Sequence, residues 1–480
     1  MTASTLPVRN PRTGEWDHEI PITSPDDIAS TTTALRAEQA QWVAMGASGR
    51  AACLNRFADA VMAEVGPLGQ ALSIDTGRST FAQFEVIKSV ELIRMWAERA
   101  GPILEELAGA GQSGQAPAVH YQHRLIPYQV VAVISPWNVP LLLAMIDSLA
   151  ALSAGCSVLL KPSEVTPRFV EPLQCALNAV PELAAVLRIV TGGPETGKTM
   201  IEQVDAVCFT GSVKTGRQVS QQAAACFIPA FLELGGKDPA IVLPDADISL
   251  AVRAIIRSAI GMTGQACQSL ERIYCHESIA EPFTEELLAQ LKVLTLTFTE
   301  DGAGDIAPLI FERQVETIQA QVDDALAKGA TCLLGGEPVY AGGIWYPPTL
   351  LTNVNQAMLI MQDETFGPVI PVVSFSDVEE AVALANDSAF GLSAAVFSTD
   401  TDAAKAVAER LQVGAISVND ASLTGIVNDV EKNSFRFSGM GGSRMGPAGL
   451  TRFLRKRALL IQTGEPAPVQ LFSDTAHTQT

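Results

Sequence analysis

The sequence predicts an α/β protein, a doubly wound parallel sheet followed by a second α/β domain. Three observations predict it. At 480 residues the chain is longer than one hydrophobic core supports, so two or three domains are expected. From residue 128 onward, short continuous apolar runs of strand length alternate with helical stretches, the order that builds a parallel sheet covered on both faces. Glycine-rich and polar stretches directly follow those apolar runs, at the carboxyl ends of the strands, where open parallel sheets bind ligands.

Each element follows from its pattern. Ile28–Val43, Ala51–Val65 and Thr80–Leu107 carry apolar residues at helical spacing with few breakers. Gly109–Ala118 is small and flexible, and Val119–Pro127 alternates polar and apolar as a projecting hairpin arm would. Val130–Ile134 reads as a strand buried on both faces. Leu141–Leu152 then reads as a helix, Ser157–Leu160 as a strand, Phe169–Val180 as a helix and Leu187–Val190 as a strand. After a short helix come the strand Ala206–Phe209, the helix Val213–Ala225 and the strand Ala230–Leu234. A second alternating set runs from Asp238 to about Asn419, with strands at Ala240–Leu243, Arg272–Cys275 and Ala415–Val418. The tail holds one more strand, Ala458–Ile461, and beyond Gly464 it reads as frayed.

Composition excludes several function classes. A chain 48% hydrophobic and 18% charged reads as globular, with a large buried fraction. A formal charge of −20 argues against nucleic acid or an anionic membrane surface as partner, though it allows a local basic pocket. The 8 cysteines form no C-x-x-C pair and the 5 histidines are scattered, so no metal-ligand cluster is expected. Cys156, Cys208, Cys226 and Cys275 lie in apolar segments, which suits reduced thiols of a cytoplasmic protein. Met1–Asn10 has no apolar core flanked by basic residues, so no secretory signal is read there. Val139–Leu160 approaches bilayer-spanning length. Pro140, Asp147, Ser148 and Gly155 interrupt it, and it is read as a buried helix plus strand.

Two glycine loops suggest phosphate chemistry. Gly192 to Thr199 matches G-x-x-x-x-G-K-[ST] in full and follows a strand, which offers a nucleotide triphosphatase as a rival function. Its context is poor, because about one and a half turns separate Thr199 from Val204, where the next strand approaches. A glycine turn lining an adenine site, with Gly193 in it, is the better reading. Gly211 to Gly216 sits between strand and helix, so Ser212 can serve as a helix cap or present its hydroxyl and amide to a pyrophosphate.

Cys267 follows Gly264-Gln265-Ala266 at the end of an apolar helical segment, Ala251–Ile260. A cysteine in a loop at a helix end can be exposed, with its thiolate stabilised. Alone it does not specify a nucleophile, since most intracellular cysteines are small buried hydrophobes. Three further stretches accompany it: Ser135-Pro136-Trp137-Asn138, Glu233-Leu234-Gly235-Gly236-Lys237 and Glu364-Thr365-Phe366-Gly367-Pro368. With Cys267 they form, in order, a pattern that resembles the NAD(P)-dependent aldehyde dehydrogenase superfamily from near the start of the chain to about residue 465.

The resemblance implies roles. Cys267 matches the nucleophile, Glu233 the general base and Asn138 the side-chain donor of the oxyanion hole. Lys161 and Glu164 match residues holding the adenosine ribose, Ser212 a pyrophosphate contact, Glu364 the carboxylate on the nicotinamide ribose, and Phe366 packing near the nicotinamide. Ser135, Trp137, Gly193, Gly211, Gly216 and Leu234 complete the implied cofactor set. An aldehyde would be oxidised to its carboxylic acid through a thiohemiacetal and a thioacyl-enzyme. NAD is favoured over NADP, since Glu164 would accept from a ribose 2′-hydroxyl and repel a 2′-phosphate.

The implied fold is aldehyde-dehydrogenase-like: a cofactor domain (residues 1–108 and 128–236), a catalytic domain (237–452) and a small β oligomerisation arm with tail (109–127 and 453–480). The implied assembly is a homodimer or homotetramer. A CoA-acylating relative and a non-catalytic binding protein on the same fold are the alternatives. Three positions depart from the pattern: Asp238 replaces Asn or Ser, Lys214 stands where an acid is common, and residues 433–446 lack the acid after the second glycine. Val139, Leu143 and Ile146 suggest an apolar funnel wall; a contact from Arg436 to an anionic substrate is the disfavoured reading of that residue.

Overall fold

The structure, a computed structural model, describes residues 4–298 and 304–468; the end of the tail read as frayed lies outside these residues. The first alternating set forms a six-stranded sheet. Its order is Gly439–Met440, Ala230–Glu233, Ala206–Thr210, Val130–Ile134, Ser157–Lys161, Leu187–Ile189, all parallel except the first. The runs Val130–Val133 and Ser157–Lys161 are buried throughout, as the apolar Val130–Val133 and Val158–Leu160 within them require. The second set forms a seven-stranded sheet: Thr331–Leu334, Thr349–Thr352, Val369–Phe375, Leu270–His276, Asp238–Val242, Ser393–Phe397, Ala415–Val418. Only its edge strand Thr331–Leu334 runs antiparallel.

Helix ends obey local rules. The helix Pro140–Ala154 starts on proline and stops at Gly155, whose φ of 105° only glycine adopts readily. Ser212 caps Val213–Ala225 by accepting from Thr215 N at 3.3 Å, and Asp247 caps Ile248–Ile260 by accepting from Leu250 N at 3.0 Å. The stretch Val139–Leu160 is a buried helix and strand, and no helix among the described residues is long and apolar enough to cross a membrane.

The arm Val119–Pro127 pairs along its whole length with Leu454–Gln462, and Ala110–Gln112 adds a third strand. Several pairings escaped the sequence reading, among them Val339–Ala341 with Gly343–Trp345, Phe390–Gly391 with Phe435–Arg436, and the Ala110–Gln112 strand in the stretch read as a loop. Thr5–Arg9 and Trp16–Pro21 form an N-terminal hairpin. Gly439–Met440, from the stretch read with the second domain, zips antiparallel onto Ala230–Glu233, matching Gly439 with Glu233.

A buried ion cluster ties this late stretch to the first sheet. Asp147 accepts from Arg444 at 2.7 Å and also pairs with Arg452, and the two guanidinium groups hold its carboxyl below the usual range against the pull of burial. Removing one member leaves uncompensated buried charge. Asp147→Ala is therefore expected to destabilise the protein by about 3–5 kcal/mol, measured as a lowered denaturant midpoint; an unchanged midpoint would refute that role for the cluster.

Candidate active site

One cavity of about 890 Å³ opens at the carboxyl ends of the first sheet's strands. It is lined by Ser135, Trp137 and Asn138 after one strand, Lys161 and Glu164 after the next, and Gly211 and Ser212 after a third. Glu233 and Leu234 follow a fourth, and Cys267, Glu364 and Phe366 come from the second domain. Twelve of the fourteen residues singled out from the sequence thus share one wall. Gly193 and Gly216 stand behind it. Gly193 precedes the eight-residue helix Pro194–Ile201, and a Cβ on Gly216 would meet Leu234 at 2.5 Å. Its lack of a side chain lets helix and strand pack closely, a tertiary requirement that local sequence cannot reveal.

Backbone geometry carries Cys267 into the cavity. The helix Ile248–Ile260 ends in a tight turn in which Met262, Thr263 and Gly264 have φ values of 55°, 59° and 67°. Gly264 is required there, because a Cβ would lie 2.3 Å from the Gly367 backbone. A Cβ on Gly236 would lie 2.5 Å from the Cys267 carbonyl oxygen, so the Gly-Gly turn and the cysteine loop press together. Gln265 is fully buried, accepts from Ile310 N at 3.0 Å and offers its own carbonyl to Asn138 Nδ2 at 3.0 Å. A carbonyl only accepts, so that bond fixes the Asn138 amide and leaves its second N–H for another acceptor. Arg78 braces both sides, donating to Asn138 O at 2.9 Å and Met262 O at 3.2 Å.

The loop carrying Glu364 hangs on a buried ion pair. Glu271 accepts from Thr365 N and Phe366 N, each at 2.8 Å, and from Lys237 Nζ at 2.8 Å. Glu364 accepts from Gly236 N at 3.1 Å; burial, reinforced by Glu271, pushes it up to about 8. Its partner Gly236 N fixes the carboxyl group on the cavity wall.

Glu233 accepts from Ser434 Oγ at 2.7 Å and from Lys432 Nζ at 3.4 Å. Neither partner was singled out from the sequence. The only signal was the departure of residues 433–446 from the family pattern. Arg436 is spent elsewhere, donating to the carbonyls of Asn386 and Ser388 and to Gln412 Oε1, which removes it as a substrate contact. Lys198 of the P-loop-like stretch pairs with Glu195 one turn away on its own short helix. Asp238, at the departure from Asn or Ser, is buried against Ser393, accepting from its amide at 3.1 Å and from its hydroxyl.

Comparison with known proteins settles what this arrangement belongs to. The sequence model of the aldehyde dehydrogenase family matches residues 1–459. The chain belongs to the aldehyde dehydrogenase family. The dehydrogenase is 32% identical over 468 residues to 3,6-anhydro-alpha-L-galactose dehydrogenase of Streptomyces coelicolor, covering 95% of this chain and 93% of that one. It is 33% identical over 459 residues to a Mycolicibacterium smegmatis relative named for succinate semialdehyde and NADP(+), covering 94% and 88%. Among solved structures, PutA of Anabaena variabilis superposes with a TM-score of 0.94 at 48% identity, covering 97% of this chain and 99% of that one. Lactaldehyde dehydrogenase of Escherichia coli superposes at 0.90 with 31% identity and 96% coverage of each. The protein is an oxidoreductase of the aldehyde dehydrogenase family.

The residues present fit a dinucleotide. Ser135 Oγ is buried and bonds to no protein atom, a vacancy that a bound hydroxyl or phosphate oxygen would fill. Lys161 Nζ lies 3.2 Å from Glu164 Oε2 at the mouth, a charged pair suited to ribose hydroxyls. Trp137 and Phe366 meet edge to face, with centroids 5.3 Å apart, as an aromatic wall.

The expectation of a stabilised thiolate is corrected. Cys267 is half-buried, and burial pushes its thiol up to about 11, with Glu364, Asp238 and Glu233 adding and Lys432 opposing. A raised thiol is protonated below its pKa, and only the thiolate reacts. Alkylation of Cys267, read from its own peptide by mass spectrometry, should rise about tenfold per pH unit from pH 7 to 10 in the cofactor-free enzyme. A plateau by pH 8 would contradict this environment.

Proposed function

We propose that the protein oxidises an aldehyde to its carboxylic acid in a dinucleotide-dependent, hydrolytic reaction, with Cys267 as nucleophile. The convergence of Cys267, Asn138 and Glu233 on one cavity that also holds the dinucleotide-fitting groups carries this reading.

The Cys267 thiol first loses its proton to solvent; its thiolate then attacks the aldehyde carbon, and the carbonyl π electrons move to oxygen, giving a thiohemiacetal oxyanion. The second Asn138 N–H and the Cys267 main-chain N–H stabilise that charge; losing one such donor costs about 3 kcal/mol. When bound, the nicotinamide supplies the acceptor for the two electrons that leave the carbon as hydride. A thioacyl-enzyme remains on Cys267. Glu233 takes a proton from water, the hydroxide adds to the thioacyl carbon, and the thiolate departs, releasing the carboxylic acid. General-base assistance of this kind contributes roughly 10²–10⁴-fold. Glu233 favours hydrolysis over transfer to CoA, and the full set of reactive groups favours catalysis over binding alone.

The reading extends to cofactor, assembly and location. Glu164 beside Lys161 favours NAD, because its charge opposes a 2′-phosphate. The strand Leu454–Gln462 exposes Leu459, Leu460 and Ile461, a surface suited to a homodimer or homotetramer that pairs through this arm. The free thiols of Cys156, Cys208 and Cys275 suit a cytoplasmic enzyme. The chain is read as a cofactor domain (residues 1–108 and 128–236), a catalytic domain (237–452) and an arm (109–127 and 453–480), with Gly439–Met440 of the second range crossing to pair with the first sheet. Aliphatic, aromatic and carboxylate-bearing aldehydes, each assayed with NAD and NADP, test the reading. It predicts a higher kcat/KM with NAD for every aldehyde oxidised; a uniform preference for NADP would overturn the role given to Glu164.

A further inference from the structure

The stretch Lys432–Ser434 enters the site by a route the family pattern does not anticipate. The strand Gly439–Met440 zips onto Ala230–Glu233, and Leu234 N donates to Ser438 O at 2.8 Å, so the residues just before it fold over Glu233. Glycine at 439 makes this possible, since a Cβ there would lie 2.7 Å from Ser434 Cβ and 2.5 Å from Leu232 O. The Lys432 side chain is 5% exposed and that of Glu233 12%, so their ion pair is shielded from water and weakly screened. Lys432 Nζ also donates to Ser434 Oγ at 3.2 Å, which closes a three-membered contact among ammonium, hydroxyl and carboxylate. Its main chain is held as well, Lys432 N donating to Ser443 Oγ at 3.2 Å.

We propose that Lys432 is a positioning residue of this dehydrogenase, whose buried ammonium, with the Ser434 hydroxyl, holds Glu233 in place and supplies the positive charge that favours the Cys267 thiolate. The cations that act on the thiol are Lys432 and Arg444, and the acids that oppose them are Glu364, Asp238 and Glu233. Arg444 is committed to Asp147 at 2.7 Å. Lys432 is paired with a carboxylate that must let go of it to meet water, so it is the cation whose partner changes during turnover. The two residues divide the work: Ser434 contacts Lys432 and Glu233 but brings no charge to the thiol, and Lys432 acts on both Glu233 and the thiol.

This rests on the roles proposed for Cys267 and Glu233, and the test separates the two. Cys267 alkylation by iodoacetamide is followed against pH by peptide mass spectrometry in wild type, Lys432→Met, Lys432→Arg and Ser434→Ala, without substrate. Burst and steady-state rates with an aldehyde and NAD are measured in parallel. Lys432→Met should move the alkylation profile to higher pH, slowing the reaction at pH 8 by about 3- to 30-fold, and Lys432→Arg should restore most of it. Ser434→Ala should leave that profile unmoved and lower only the steady-state rate relative to the burst. If Lys432→Met leaves the profile and the burst-to-steady-state ratio at wild-type values while Cys267→Ala still abolishes turnover, the inference fails and the proposed function stands. A profile moved equally by Lys432→Met and Lys432→Arg would also overturn it, since loss of packing rather than charge would then be responsible.

Discussion

Cys267→Ala is expected to abolish aldehyde-dependent formation of reduced dinucleotide, lowering kcat/KM by at least about 10⁴-fold. The side chain removed is small and half-buried on a cavity wall, so the fold should survive. The cavity groups proposed for the dinucleotide, Lys161, Glu164 and Ser135, are untouched, and NAD binding should remain within a few-fold of wild type. Absorbance of the reduced nicotinamide reads the first effect, and titration calorimetry with NAD the second. Turnover surviving at more than a few per cent would remove Cys267 from the chemistry.

Glu233→Gln should divide the reaction in two. The first turnover, ending at the thioacyl-enzyme, needs no base at position 233, so reduced dinucleotide should appear as a burst approaching one equivalent per active site. Hydrolysis should then stall, with the steady-state rate falling about 10²–10⁴-fold. Glutamine keeps an acceptor for Ser434 Oγ, so the local geometry is retained while basicity is lost. Equal loss of burst and steady state would mean that Glu233 acts before the acyl-enzyme. Recovery of turnover on adding CoA to the wild type alone would instead favour an acylating enzyme.

The parts of the fold written in local sequence were legible. Val213–Ala225 and Val119–Pro127 begin and end where their patterns predict, because a Ser212 cap and the polar–apolar alternation that opens Val119–Pro127 are local properties. The strand Ser157–Lys161 was legible from the short apolar run Val158–Leu160 at its centre. The pairing of Gly439–Met440 with Ala230–Glu233 was not, because two residues two hundred positions away carry no periodicity of their own. The site shows the same division. Motifs identified the groups that share the cavity, yet they missed Lys432 and Ser434, which arrive through that long-range pairing. Motifs also carry no measure of the burial and the neighbouring acids that push the Cys267 thiol and the Glu364 carboxyl up.

The central claim is that the substrate carbon becomes covalently attached to the sulfur at position 267 and waits there for Glu233. Glu233→Gln mixed with an aldehyde and NAD, quenched in acid and digested, tests it most directly by peptide mass spectrometry. The account predicts the peptide containing Cys267 heavier by the acyl group, in near-stoichiometric amount and only when NAD is present. An unmodified Cys267 peptide after a full burst of reduced dinucleotide would contradict it.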